Sequence, residues 1–380
     1  MGRRPRRVWS LAAALVWAAT SAAEPLVFRG ASDASAAAAL DARHFVVADD
    51  EHNTLLVFRL DEPVPVGRFD LNPYLGAVGK HPEADIEGAA RVGDRIYWIT
   101  SHGRNRDGKE RPNRYAFFAT DVEAGRGDQP PSLVPVGRPY RRLAADLARH
   151  PELRFLELEK SIGLGRSLAK QERKALAPKK AGLNIEGLAA GPNGSLFMGL
   201  RNPRYAAPSG GYDLAIVLVL RNPDAMVIDG RDAEFAAPLL LDAGGLGIRS
   251  LEAVLGPSES IRYVVAAGPA GDAMRFRFFG WSAVQPSPGA SPTASPTPPP
   301  RELSVSLPPD FAPEAVFQLP GTDTLWLLSD DGSLPRDVAG RADCLPGELL
   351  GNGRCPNKYL ADRDQRTFRA LAVRLEDILK

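Results

Sequence analysis

The feature that most constrains the fold is a segment that recurs five times along the chain. "DIEGAARVGDRIYWITSHGRN" begins at Asp85, and "NIEGLAAGPNGSLFMGLRNP" begins at Asn184. Each runs from an acidic residue through small residues and a turn into a β-prone stretch, then stops on polar residues. Looser copies start at Ser32 ("SDASAAAALDARHFVVADDEHN"), Ser250 ("SLEAVLGPSESIRYVVAAGPAGD") and Pro313 ("PEAVFQLPGTDTLWLLSDDG"). Self-similarity of this kind marks an array of small, equivalent units. Two more strand-like stretches follow each of the first four copies, for example "NTLLVFRL" and "VPVGRFDL" after the first. The fifth is followed by "TFRALAVRL" alone, and the missing strand is available at 24–30, "EPLVFRG". A blade assembled from both chain ends is how a propeller ring closes without an open sheet edge.

The pattern therefore predicts an all-β fold, a single β-propeller domain over 24–380, closed by pairing of its first strand with the last blade. Five blades use about 71 residues each, against roughly 40–50 for a bare four-stranded blade, so long loops are required. Residues 138–182 have helical periodicity and few strand formers, and predict a helical insertion between the second and third blades. Residues 285–300, "QPSPGASPTASPTPPP", have no core-forming residues and read as a disordered or polyproline loop. A sixth blade fits only if the stretch between Glu87 and Glu186 hides a degenerate one. A two-sheet sandwich would explain alternating strands, but not five acid-led copies.

The N-terminus, "MGRRPRRVWSLAAALVWAATSAA", has arginines, a short apolar run and small residues at its end. It reads as a secretory signal over 1–23, cut before Glu24. The apolar run is short for a bilayer span, so the mature chain is expected in the periplasm or secreted, and not as an integral membrane protein. The formal charge is +1, and loss of the signal's arginines makes the mature chain slightly acidic. No basic patch points to nucleic acid. The two cysteines, Cys344 and Cys355, sit close together in the exported part and are expected to form a disulfide. The five histidines show no metal-binding spacing.

Innermost strands line a propeller's channel, and ligands gather at channel ends. If the acid-led segments are innermost, Asp33, Glu87, Glu186, Glu252 and Glu314 ring one mouth. Five like charges at close range repel by several kcal/mol, so the ring asks for a divalent cation such as calcium, for arginines, or for raised pKa values. Loops at the ends of the second strands bring His102, Arg104, Arg201 and Asn202 to the same face. In a catalytic reading His102, Glu87 and Glu186 move protons, while Arg104, Arg201 and Asn202 hold an anionic substrate. Equally, each carboxylate could cap a neighbouring backbone, Arg201 could simply bridge Glu186, and Asp330-Asp331-Gly332 could be only a turn. No nucleophile elbow is present.

At "DIEGAA…YWITSHGRN" and "NIEGLAAGPNGSLFMGLRNP" the chain resembles the bacterial DUF3616 family, and the likeness runs from about Ser32 to Leu375. That resemblance implies an exported, propeller-like protein without an assigned activity. More distantly, the Glu-Gly units with Arg201-Asn202-Pro203 resemble exported phytase-like and esterase-like propellers, which implies phosphoester or ester hydrolysis with acidic metal-binding residues. Two functions follow: a propeller that binds a small molecule or an envelope component at an acidic channel mouth, or a metal-dependent hydrolase.

Overall fold

Residues on an innermost blade strand must be small, because neighbouring blades meet there. The five acid-led segments meet that demand with alanine and glycine, and each opens a four-stranded antiparallel sheet. The computed structural model describes residues 24–49, 51–206, 210–256, 262–271, 273–282 and 299–379. The signal segment 1–23 and nearly all of the Pro-rich stretch 285–300 lie outside the described residues.

The chain opens with β1 (Leu26–Arg29). Blade one is β2 (Ala36–Ala39), β3 (His44–Asp49), β4 (Thr54–Arg59) and β5 (Gly67–Asp70); the short helix α1 (Asn72–Leu75) leads to the next blade. Blade two is β6 (Ile86–Val92), β7 (Arg95–Thr100), β8 (Phe117–Glu123) and β9 (Ser132–Tyr140). Then come α2 (Leu143–Arg149), α3 (Leu158–Ile162) and α4 (Lys170–Ala175). This is the expected helical insertion, except that its first predicted residues finish β9. Blade three is β10 (Asn184–Ala190), β11 (Leu196–Asn202), β12 (Ala215–Leu220) and β13 (Phe235–Leu241), with α5 (Pro223–Asp229) between its last two strands. Blade four is β14 (Gly247–Ala253), β15 (Tyr263–Gly268), β16 (Arg277–Trp281) and β17 (Arg301–Leu303). Blade five starts with β18 (Pro313–Gln318) and β19 (Thr324–Ser329). An insertion carries the hairpin β20 (Pro335–Arg336) and β21 (Cys355–Pro356) before β22 (Thr367–Arg374) completes the third strand and α6 (Leu375–Ile378) ends the chain.

The fourth strand of blade five is β1, paired antiparallel with β22 from Leu26 opposite Ala370 to Arg29 opposite Thr367. The innermost strands contact one another in ring order, β2 to β6, β10, β14, β18 and back to β2, so the propeller has five blades and is closed. Phe28 of β1 locks the closure: it stacks on Phe368 at 5.4 Å and meets Phe45 and Phe58 of blade one edge-on at 5.3 and 5.4 Å. Such aromatic pairs add to the apolar area they bury. β12, "AIVLVL", is buried along its whole length, because sheets covered on both faces need continuous apolar runs. The cysteines form the Cys344–Cys355 disulfide inside the blade-five insertion. No helix among the described residues is long and apolar enough to cross a membrane, which leaves β-barrel spanning untouched.

Candidate functional site

The Ile-Glu-Gly signature has a three-part explanation. In β6, Ile86 pairs with Thr100 and Gly88 with Ile99, leaving Glu87 in a register shift. The same shift leaves out Glu186 in β10, Arg249 in β14 and Glu314 in β18. A bulge of this kind re-aims one side chain, and all four line a single cavity at the channel mouth. The residue before each bulge, Ile86, Ile185, Ile248 or Pro313, is buried. The residue after it must be small: a Cβ on Gly187 would lie 2.8 Å from Ile248 Cγ2 of the next blade, and one on Gly88 would lie 3.0 Å from Leu188 Cβ. In blade one Ser35 holds the station just before the first paired residue, and it also lines the cavity.

That register corrects the expected ring. In blade four the inward station belongs to Arg249, and Glu252 lies three residues further along the same strand. Glu252 lines a separate cavity of about 250 Å³ with Ala37, Ala38, Ala39 and Arg91. Its carboxylate accepts the Gln318 N–H at 3.2 Å, and burial pushes its pKa up to about 8. Asp33 does reach the mouth, two residues ahead of its blade's station, in line with Asp85 and Asn184 of blades two and three.

Arg249 changes the electrostatics. Its guanidinium ion-pairs with Glu186, Nε to Oε2 at 3.1 Å, and with Glu314. Arg201 pairs with Glu186 from the other side at 2.8 Å and donates to the carbonyls of Pro269 and Gly271 at 3.2 Å each. Asn184 Nδ2 adds a bond of 2.7 Å to Glu186 Oε1. Built-in cations thus compensate two of the carboxylates, which is what a buried charge requires.

Three other carboxyls stay under strain. Glu87 has neither a hydrogen bond nor an ion pair among the described residues, and burial with nearby Glu186, Asp85 and Asp33 holds its pKa well above the ordinary value. Burial and neighbouring Asp330 raise Asp33 in the same way, although Ser35 Oγ donates to it at 3.0 Å. Burial also raises Asp330, against the Gly332 N–H that donates to it at 2.8 Å. Oxygens of Asp33, Glu314 and Asp330 lie within 4.8 Å of one another. The same cavity, about 790 Å³, is also lined by Arg106, Lys179 and Lys180, all exposed.

The remaining expected residues fall in different places. Arg104 lines the cavity, but its guanidinium is taken up by the carbonyls of Gly108 (3.0 Å), Gly163 (2.7 Å) and Ile162 (3.3 Å) and by Glu110 (2.8 Å). It braces the blade-two loop against α3. Asn202 stands outside the cavity wall and donates to Pro178 O at 2.6 Å, pinning the segment that carries Lys179 and Lys180. His102 is also outside the cavity. It is 2 % exposed, its Nδ1 donates to Thr100 O at 2.8 Å, and burial lowers its pKa to about 4. A histidine so placed is neutral near pH 7 and cannot reach a ligand in the cavity. The sequence reading missed Arg249 and Asn184 as wall residues, and it left Asp330 open between a turn and the shared face; the structure puts it in the cavity wall. It also missed Lys358, which lines the cavity and pairs with Glu51 at 3.1 Å.

Fold and site together define a five-bladed β-propeller with a charged cavity at one end of its channel. The chain belongs to the family described as Protein of unknown function (DUF3616), whose model matches residues 33–286. No curated protein sequence matches it. Among solved structures it is similar to the glutaminyl cyclase of Myxococcus xanthus, at 13 % identity over 93 % of this chain and 96 % of that one, with a TM-score of 0.38. It is also similar to the GH43_1 enzyme from Xanthomonas citri complexed with xylose, at 12 % identity over 80 % and 85 %, TM-score 0.38. At these TM-scores neither likeness bears on what this chain does.

Proposed function

We propose that this chain is an exported small-molecule-binding propeller whose ligand sits in the channel-mouth cavity against Asp33, Glu87 and Asp330. The observation that carries this reading is the uneven compensation of the carboxyls. Arg201 and Arg249 neutralise Glu186 and Glu314, while Asp33, Glu87 and Asp330 are held with raised pKa values and no ion pair of comparable closeness. Such a site gains when a ligand supplies the missing donors. The cavity volume, about 790 Å³, falls within the usual range for small-molecule sites. Thermal denaturation of the mature chain against a library of polar metabolites tests the reading, since a ligand at a hundred times its Kd stabilises by about 2.7 kcal/mol. A stabilising compound whose effect is lost in Glu87→Gln supports the proposal. A library without a single stabilising member sinks it.

A second reading is favoured by the three-carboxylate cluster. Oxygens within 4.8 Å suit a hard divalent cation, which binds carboxylate oxygens at about 2.3–2.6 Å. Asp33, Glu314 and Asp330 would hold it, Glu314 being shared with Arg249. Bound there, the cation would polarise a phosphoester or ester oxygen, and Glu87 would hold the proton. Calcium titration by calorimetry, followed by ester and phosphoester turnover with and without chelator, decides between the two.

A further inference from the structure

Most of the chain's positive charge excess sits in three stretches that the ligand cavity barely uses. Residues 78–81, 104–114 and 163–182 hold twelve Lys and Arg against three Asp and Glu, a net of +9 in a sequence whose total is +1. Contacts join these distant stretches into one surface. Asn113 Nδ2 donates to the carbonyls of Val78 and His81 at 3.1 and 2.7 Å. Arg104 ties the loop that carries it to Ile162 and Gly163, and a Cβ on Gly108 would run into the Arg173 carbonyl. Partial desolvation and the charges of Arg111, Lys80, Lys109 and Arg114 lower the pKa of His81, as crowded cations must. The patch reaches the cavity, whose wall includes Arg106, Lys179 and Lys180. Because three separate stretches build it, the balanced charge of the whole sequence hides it.

Internal pairing consumes little of this charge. Arg104 is taken by Glu110, and Arg114 by Glu83 and Asp85. Ten cations remain against two carboxylates, Asp107 and Glu172, and Glu172 already accepts the Ala169 N–H at 2.8 Å. Lys80, Arg106, Lys109, Lys170 and Lys180 are all exposed. Like charges so crowded repel one another, and the same field attracts a partner of opposite sign.

The residues between the charges select that partner. The three stretches contain no Phe, Trp or Tyr, so they offer no platform for stacking unpaired bases. Among the described residues, Val78 is their one exposed large hydrophobic side chain. The helix α4 has no buried residue, hence no apolar face to lie in a lipid interface. A protein partner would want an apolar centre to the contact. Flexible cations with neither stacking ring nor apolar wedge suit the acidic groups strung along a charged polysaccharide.

We propose that this patch docks an acidic polysaccharide, laid across the surface beside the cavity. The export proposed above would bring the chain to such polymers, and the docking does not depend on what the cavity holds.

The test is fluorescence anisotropy of labelled polygalacturonate titrated with the mature chain, beside labelled dextran, a DNA duplex and phosphatidylglycerol vesicles. Polygalacturonate binds and dextran does not, and the affinity falls at least about tenfold between about 50 and 500 mM salt. The triple variant Lys109→Glu, Lys170→Glu, Lys174→Glu loses at least about tenfold, as three reversed contacts require. Arg126→Glu, Arg138→Glu and Arg301→Glu together change the net charge equally from exposed positions outside the patch, and lose less than about threefold. Melting temperatures check that both variants fold, and Lys170→Glu alone, losing about threefold, carries the test if the first does not. No binding of polygalacturonate at about 50 mM salt, equal losses in the two triple variants, or tighter binding of duplex or vesicles overturns the inference. None of the six substituted residues lines the cavity, so the small-molecule reading survives those results if a metabolite still binds in a Glu87-dependent way, and falls separately if none does.

Discussion

Replacing Glu252 with glutamine should stabilise the protein at neutral pH and do nothing in acid. Glu252 lines the smaller cavity and has no charged partner among the described residues: its pKa is raised by burial, opposed only by the backbone N–H groups of Gln318 and Ala253. Its ordinary value is 4.5 and its folded value about 8. A carboxyl with a raised folded pKa favours folding below the unfolded value, and that advantage is lost as pH climbs toward the folded one. At about 1.36 kcal/mol per unit, the loss by pH 7 is about 3 kcal/mol, and structural relaxation would reduce it to about 2. Glutamine keeps the oxygen that receives the Gln318 N–H and carries no titratable proton. Urea unfolding of both proteins, followed by tryptophan fluorescence at about pH 4.5, 6, 7 and 8, measures the difference directly. Taking the difference cancels the other carboxyls, which titrate in both proteins. A gap that opens between pH 5 and 8 fits the argument. A gap of the same size at every pH, or glutamine less stable throughout, would refute it.

Other expectations can be checked in the same way. Arg249→Met removes the cation shared by Glu186 and Glu314 and should cost roughly 3–5 kcal/mol at pH 7, less in acid where those carboxylates take up protons; urea unfolding at two pH values reads this. Phe28→Ala should cost roughly 3–5 kcal/mol, and native-state hydrogen exchange should show β1 and β22 losing protection ahead of blade three.

The ring architecture was legible because its cause is local. Each blade repeats small residues where inner strands meet, β-prone residues where sheets are buried, and a turn between. The mismatch between "TFRALAVRL" and an absent fourth strand exposed the closure through β1. The bulge was marked by Ile-Glu-Gly in β6 and β10 but not in the other blades, where Ile-Arg-Ser and Pro-Glu-Ala occupy the same stations. The fourth copy was therefore aligned on Glu252, although its inward station belongs to Arg249, and a ring that looked uniformly acidic carries its own counter-ion. His102 misled for a related reason: its loop is polar in sequence, yet the ring is buried under that loop and bonded to Thr100 O. Asn184 opens the quoted third copy and drew no attention, because an asparagine's bond to a buried carboxylate shows only when its neighbours are in place. The blade-five insertion brought Lys358 to the cavity from a part of the chain with no repeat to flag it.

The central claim is that the bulged stations of neighbouring blades converge on one ligand cavity at the channel mouth. Crystals of the mature chain soaked with the library compound that most raises its melting temperature test it most directly. The account predicts ligand density in the channel-mouth cavity, against Asp33, Glu87 and Asp330. Density elsewhere on the molecule with that cavity holding only water, or side chains of Glu87, Glu186, Arg249 and Glu314 pointing apart, would contradict it.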